Sequence, residues 1–461
     1  MLTAAAPAVA ARPPRHDAFF AALRLREYGW LDAHDHAYLD YTGASLHAAC
    51  QLREHQALLR RTLFGNPHSD SAPSRASTAV VARARRAVLR FLDADAAEYV
   101  VCFTANASAA IKLVGESWPF APGTSLVLSQ DNHNSVNGLR EFARRAGART
   151  IYLPLDAELR LADPLPRLER HRGAGPALFA FPAQSNFSGV QHPLELVAGA
   201  QRLGYHVLLD AAAFAPTHPL SLRAVRPDFV ALSCYKLFGY PTGVGALVAR
   251  RAALALLRRP WFAGGTVDYV SVRHDVHRLR PLAEGFEDGT PNYLSLAALP
   301  PGFRLLRRVG MPRLEAHVAT LTAALLRGLL ALRHANGRPA VRVYGPTTTE
   351  ARGGTVAFNL LDAAGRPVPY ARVEARARAM GVSLRGGCFC NPGAAEAAFG
   401  FPPERTACCL GAVDARGFTI PRLAACLGPQ IAVGAVRASL GIASDARDVA
   451  RAVAVAGAFR E

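Results

Sequence analysis

The 461-residue chain is 51% apolar and 19% charged, which excludes disordered and fibrous classes and supplies enough apolar side chains for a self-sufficient core in up to about three domains. No run reaches the roughly 18 uninterrupted apolar residues of a membrane-spanning helix, and the net charge of +18 comes from arginines scattered over nearly every segment, which argues against a nucleic-acid-binding face. Only two of the 53 basic residues are lysines, Lys112 and Lys236, so a lysine that remains is a candidate for work that requires losing a proton, which arginine cannot do.

Residues 1–35 read as an N-terminal arm. Its opening stretch lacks the basic and leucine-rich regions of a secretory leader, so a cytoplasmic protein is expected, with its eight cysteines as reduced thiols. A large domain follows over 36–300. It begins with a turn and an amphipathic helix over 40–64, a polar loop containing Asn66, Pro67 and His68, and a second helix over 76–91. Short apolar runs then alternate with helical or loop segments: 98–103, 125–129, 150–155, 177–182, 206–210, 228–233 and 243–248. This rhythm predicts an α/β fold with a wound sheet. A long Leu/Ala/Arg helix over 299–333 leads into a smaller C-terminal α/β domain, 301–461, with strands near 341–344 and 354–360 and helices near 372–380 and 445–459. The Gly/Pro-rich stretch 401–429 reads as an irregular excursion of unassigned role.

Two residues stand where chemistry is expected. Lys236 follows the run ending at Ser233, and Asp210 ends the run 206–210. Both therefore lie at carboxyl ends of strands, where loops of an open α/β sheet converge on one crevice. A partly desolvated lysine there suits a Schiff base. A carboxylate among small residues can keep a pyridinium nitrogen protonated, or can simply cap a helix.

These residues belong to a series of segments in fixed order: Tyr-Leu-Asp-Tyr-Thr-Gly-Ala from Tyr38, Phe-Thr-Ala-Asn-Ala-Ser-Ala-Ala from Phe103, Asp-Asn-His-Asn-Ser-Val from Asp131, Gln-Ser-Asn-Phe-Ser-Gly from Gln184, the Lys236 segment, Phe-Glu-Asp-Gly-Thr-Pro-Asn from Phe286, Gly-Cys-Phe-Cys-Asn-Pro-Gly from Gly387 and Val-Arg-Ala-Ser-Leu-Gly from Val436. The series resembles the fold-type I pyridoxal 5'-phosphate (PLP) enzymes of the class V aminotransferase group, and within it the cysteine-desulfurase-like domain of molybdenum cofactor sulfurases. The resemblance implies a mainly parallel seven-stranded sheet in the large domain, PLP on Lys236 and a homodimer.

Residue by residue, it implies that Ala107 and Ser108, at the start of a helix whose N–H groups and dipole favour an anion, hold the PLP phosphate with Ser233, and that Thr290 reaches the phosphate of the other subunit. It implies that His133 stacks on the ring, Asn186 meets the phenolic oxygen and the substrate, Asp210 meets the ring nitrogen and Arg437 grips the carboxylate of L-cysteine. Cys390 takes the nucleophile's position, with sulfur passing to molybdenum cofactor or an acceptor protein. Cys388, two residues away, would present its thiol on the same side of an extended segment. A structural zinc site on Cys388, Cys390, Cys408 and Cys409 is the bland alternative, disfavoured by its spacing; no metal is expected.

Ala213 and Tyr235 stand where many cysteine desulfurases have Gln and His, a pattern similar to the cofactor sulfurase branch. The chain ends soon after the small domain, so the molybdopterin-binding domain of eukaryotic cofactor sulfurases is not expected. The rival readings are another PLP-dependent lyase or aminotransferase, since fold does not fix function, and a basic scaffold without catalysis.

Overall fold

A computed structural model describes residues 15–411 and 417–461. All seven apolar runs become strands of one sheet: β1 (Tyr99–Thr104), β2 (Ser125–Ser129), β3 (Arg149–Leu153), β4 (Ala177–Pro182), β5 (Tyr205–Asp210), β6 (Phe229–Ser233) and β7 (Gly245–Arg250). They lie in the order β1-β7-β6-β5-β4-β2-β3. Neighbours from β6 to β3 pair in parallel, and β7 is antiparallel to both β1 and β6. The central strands are buried end to end, which is why they read as unbroken apolar runs. Alternate side chains feed two separate cores: Val101, Phe179, Phe181, Val230 and Leu232 pack on one face, Val100, Leu178, Ala180, Phe229 and Ala231 on the other.

A second, antiparallel sheet joins β8 (Val341–Tyr344), β9 (Thr355–Leu360), β10 (Arg385–Gly387) and β11 (Ala435–Ser439) in the order β8-β9-β11-β10. The N-terminal part of the chain is fastened to this unit. Ala37–Tyr38 pairs in parallel with Val382–Ser383, Asp40 bridges to Ser439, and the buried guanidinium of Arg24 pairs with Asp448 at 2.6 Å.

Several expectations are corrected. Of the arm expected over 1–35, residues 1–14 lie outside the described residues, and from Arg15 the chain is a helix (Arg15–Tyr28) that buries Phe20, Leu23 and Tyr28. The single helix expected over 299–333 is two, Leu299–Val309 and Met311–Leu330, because Gly310 takes φ +82° and ends the first. The excursion at 401–429 holds two short helices, Pro403–Gly411 and Ile420–Leu427, with residues 412–416 outside the described residues. These helices place Cys409 and Cys426 5.9 Å apart between Cα atoms, and the two form a disulfide. The expectation of eight reduced thiols thus fails at this pair, and Cys409 is unavailable to the alternative zinc set. Among the described residues no helix is long and apolar enough to cross a membrane.

Candidate active site

Because β1, β2, β4, β5 and β6 share one direction, their carboxyl ends open on the same edge of the sheet, and the loops that follow enclose a single cavity. Asn106, Ala107, Ser108, His133, Gln184, Asn186, Asp210, Ser233, Tyr235 and Lys236 all line it. Seven residues singled out from the sequence (Ala107, Ser108, His133, Asn186, Asp210, Ser233 and Lys236) therefore meet in one place.

The turn after β1 is shaped for an anion. Asn106 caps the helix Ala107–Ser117 by accepting from the Ala109 N–H at 2.9 Å, and the Ser233 hydroxyl accepts from the Ala107 N–H at 2.8 Å. The Ser108 and Ser135 hydroxyls lie 2.5 Å apart at its mouth. Gly245, the first residue of β7, passes under the turn. A Cβ there would lie 2.4 Å from the Asn106 carbonyl carbon, so the turn and the strand approach this closely only with glycine.

Lys236 sits in a short helical turn, Cys234–Phe238. Burial pushes its amine below the usual lysine range. Arg437 and Arg385 push it the same way, while Asp210 and Cys390 oppose them. Lys112, the other lysine, is exposed and pairs with Glu116 at 2.9 Å, an ordinary surface interaction. Asp210, buried at the end of β5, accepts from the Ala212 N–H at 3.0 Å. His133 caps its own helix through the Ser135 N–H. Burial lowers the proton affinity of its ring, and the Lys236 charge adds to the effect against Asp210, which favours the neutral imidazole.

The donor set fits PLP: a lysine held toward its neutral form, a buried carboxylate across from it, a flat neutral ring, and a helix start with two serines for a phosphate.

Asn186 ties the cysteine segment to this cavity. Its side-chain amide donates to the Phe389 carbonyl at 2.7 Å and accepts from Asn391 at 2.9 Å, and its own carbonyl accepts from Arg437 Nη1 at 2.9 Å. Asn391 also donates to the Asp131 carbonyl, and the Asn134 N–H donates to the Cys390 carbonyl at 2.7 Å. Phe389 and Cys390 have φ +57° and +56°. The segment is thus a tight turn, and the extended geometry expected to align the Cys388 and Cys390 thiols is absent. Cys390 is exposed and Cys388 half-buried.

Arg437 is buried on β11 with its guanidinium over the Phe389 ring, 4.7 Å from the centroid. Thr290 does not join the cavity; it is exposed in a separate depression beside Thr104 and Lys112. Asp40, Arg385, Gln184 and Asn391 were not singled out from the sequence, although each lies in or beside a segment quoted above. A carboxylate in the otherwise apolar Tyr38–Tyr41 run was the available signal for Asp40.

The profile of the family described as Aminotransferase class-V matches residues 37–452. The molybdenum cofactor sulfurase of Solanum lycopersicum is 37% identical over 407 residues, 81% of this chain and 49% of that protein. Its counterpart in Anopheles gambiae is 41% identical over 386 residues, 78% of this chain and 49% of that protein. The chain thus spans about half the length of the curated relatives it matches. Among solved structures, the apo cysteine desulfurase of Thermococcus onnurineus NA1 superimposes with a TM-score of 0.78 at 25% identity, covering 95% of this chain and 97% of that one. With its fold-type I architecture and its crevice at the carboxyl ends of the large sheet, the chain belongs to the class V aminotransferase family.

Proposed function

We propose that the protein is a PLP-dependent sulfurtransferase that converts L-cysteine to L-alanine and carries the sulfur as a persulfide on Cys390. The observation that carries this reading is the bonding of the Cys390 turn, through Asn186, into the crevice that holds Lys236 and Asp210. PLP, when bound, supplies an electron sink for the electrons left at the substrate Cα. Lys236 Nζ, held toward its neutral form, takes the Cα proton. Asp210 would keep the cofactor's ring nitrogen protonated, and Ala107, Ser108 and Ser233 would hold its phosphate. His133 would stack on its ring, and Arg437 would orient the substrate carboxylate. The Cys390 sulfur forms an S–S bond with the substrate sulfur as the Cβ–S bond breaks, and Cβ takes a proton, so one L-cysteine and one thiol yield one L-alanine and one persulfide. Tyr235 and Ala213, both on the cavity wall, leave the phenolic side without the His and Gln of many desulfurases, and this favours the cofactor sulfurase branch.

By the same reading Thr290 completes the phosphate site of a second subunit in a homodimer, which its exposure outside its own cavity supports. The large unit over 36–300 and the small unit over 301–461 work as two domains in a cytoplasmic protein, with the stretch at 37–40 crossing from the first to pair with the second. The acceptor is molybdenum cofactor or a partner protein. Incubating PLP-loaded protein with L-cysteine and a thiol reductant should release alanine and sulfide in equal amounts. Pyruvate and ammonia in place of alanine would identify a C–S lyase, and no product at all would end the enzymatic reading. Sedimentation of a fully PLP-loaded monomer would refute the shared site.

A further inference from the structure

We propose that Asp40 is a built-in competitor for the substrate carboxylate, and that Arg385 holds it off. The inference rests on the reading of Arg437 as the residue that grips this carboxylate.

A guanidinium takes a carboxylate side-on through two parallel N–H groups, Nε and Nη2. In Arg437 the Nε is buried without a partner among the described residues, whereas Nη2 bonds Asp40 Oδ1 at 3.0 Å. One prong of the fork is unpaired and the other is taken. Arg385 engages the same carboxylate more fully. Its Nε lies 3.0 and 2.9 Å from the two oxygens, and its Nη2 lies 2.5 Å from Oδ2. Strand register explains the sharing: β10 and β11 place Arg385 directly opposite Arg437, a like-charge pairing that is unfavourable unless an anion stands between. Asp40 is held there by its bridge to Ser439 and by the Gly43 and Ala44 N–H groups, which donate to its carbonyl. A Cβ on Gly43 would lie 2.6 Å from Oδ2, so the turn leaves room for this carboxylate and little else.

An incoming carboxylate completes the Arg437 fork by taking Nη2 from Asp40. Asp40 keeps its two-point pairing with Arg385, so no carboxylate is left unpaired in the site. Arg385 lies five residues before Cys390, which ties the root of the cysteine turn to whether Arg437 is filled. Asp40 and Arg385 are positioning residues here, acting through Arg437.

The test uses the PLP-loaded full chain, with L-alanine binding followed by calorimetry and KM and kcat measured with L-cysteine. Asp40→Asn should tighten L-alanine binding and lower KM by about three- to tenfold, with no gain in kcat, because a charge-assisted bond to the competitor is lost. Arg385→Gln should weaken binding and raise KM by about the same factor, because Asp40 then takes both prongs. Arg385→Lys should fall between wild type and Arg385→Gln. The double variant should match Asp40→Asn alone, a non-additivity that separate structural damage would not produce. Weaker L-alanine binding in Asp40→Asn, or additive effects in the double variant, would overturn the proposal. Arg385 is half-exposed, so Arg385→Gln and Arg385→Lys carry the test if Asp40→Asn does not fold: unchanged L-alanine binding in both would refute it. If wild-type protein binds L-alanine yet forms none from L-cysteine, the desulfurase reading falls while the binding order still judges this proposal. Wild-type protein that binds no L-alanine removes the carboxylate assignment and this inference together.

Discussion

Lys236 follows a strand buried along its whole length and faces a wall of fixed groups, Asp210, Ser233 and His133, whereas Cys390 is the exposed residue of a turn whose two left-handed residues each cost about 1 kcal/mol. That turn is anchored at its edges, by Asn186 on Phe389 and Asn391 and by Asn134 on the Cys390 carbonyl, and Cys390 itself is exposed. Proton handling at Cα needs a base held in one place, and sulfur handling needs a thiol that meets the substrate and later an acceptor. The two halves answer these needs with opposite local stabilities.

The largest effect is expected at the lysine. Lys236→Ala should reduce alanine formation by at least ~10³-fold, as loss of both the cofactor anchor and the base, and mass spectrometry after borohydride treatment should find no PLP fixed to the chain. A borohydride-fixed PLP on another residue would show that the rigid half has been assigned to the wrong group. At the cysteine, Cys390→Ser should cut alanine formation by roughly 10²-fold or more with L-cysteine binding nearly intact, because the thiol acts only in sulfur transfer, while Cys388→Ser keeps most of the rate. Loss of activity in Cys388→Ser with retention in Cys390→Ser would move the persulfide, and retention in both would point to a lyase.

Two smaller effects sharpen the contrast by loosening only the rigid half. His218 is buried, and desolvation pushes its imidazole down to about 4. It contacts Gln191 at 2.7 Å, which in turn donates to Gln184 on the cavity wall. Between this value and the unfolded one near ~6.5, the unfolded chain binds a proton that the folded chain does not, so stability is complete above ~6.5 and is lost as pH falls toward 4, by about 3 kcal/mol. Denaturant titrations of His218→Gln should show a flatter acid limb; an unchanged limb would remove His218 as its cause. Gly245→Ala should destabilise the fold by roughly 2 kcal/mol and weaken PLP binding, since the new Cβ displaces the Asn106 turn. PLP affinity equal to wild type would show that the turn is less constrained than its packing implies.

The same contrast governs what could be read in the sequence. The central strands were legible because strands buried on both faces leave unbroken apolar runs, and the lysine side was legible because its residues end those strands. The geometry of the cysteine turn was not, since Phe389 and Cys390 carry no glycine or proline to announce a left-handed bend. The role of Asp40 was not legible, because pairing with Arg437 across 397 residues leaves no local pattern. The helix break at Gly310 lay inside a continuous Leu/Ala/Arg pattern, where one glycine is a weak signal against two strong helices. The disulfide escaped because it depends on how two short helices dock.

The fastening of the first described segment to the C-terminal sheet has a consequence for how the protein is made. Arg24 meets Asp448 across 424 residues of chain, and at a synthesis rate of roughly 5–20 residues per second the earlier residue waits about 20–80 s for its partner. Through that interval Phe20, Leu23 and Tyr28 lack part of their final cover, and the strand Ala37–Tyr38 lacks its partner Val382–Ser383. The smaller unit is therefore assembled last, from both ends of the described chain at once, and newly made protein should pass through a ribosome-bound stage in which a helix with an uncovered apolar face is open to holding chaperones.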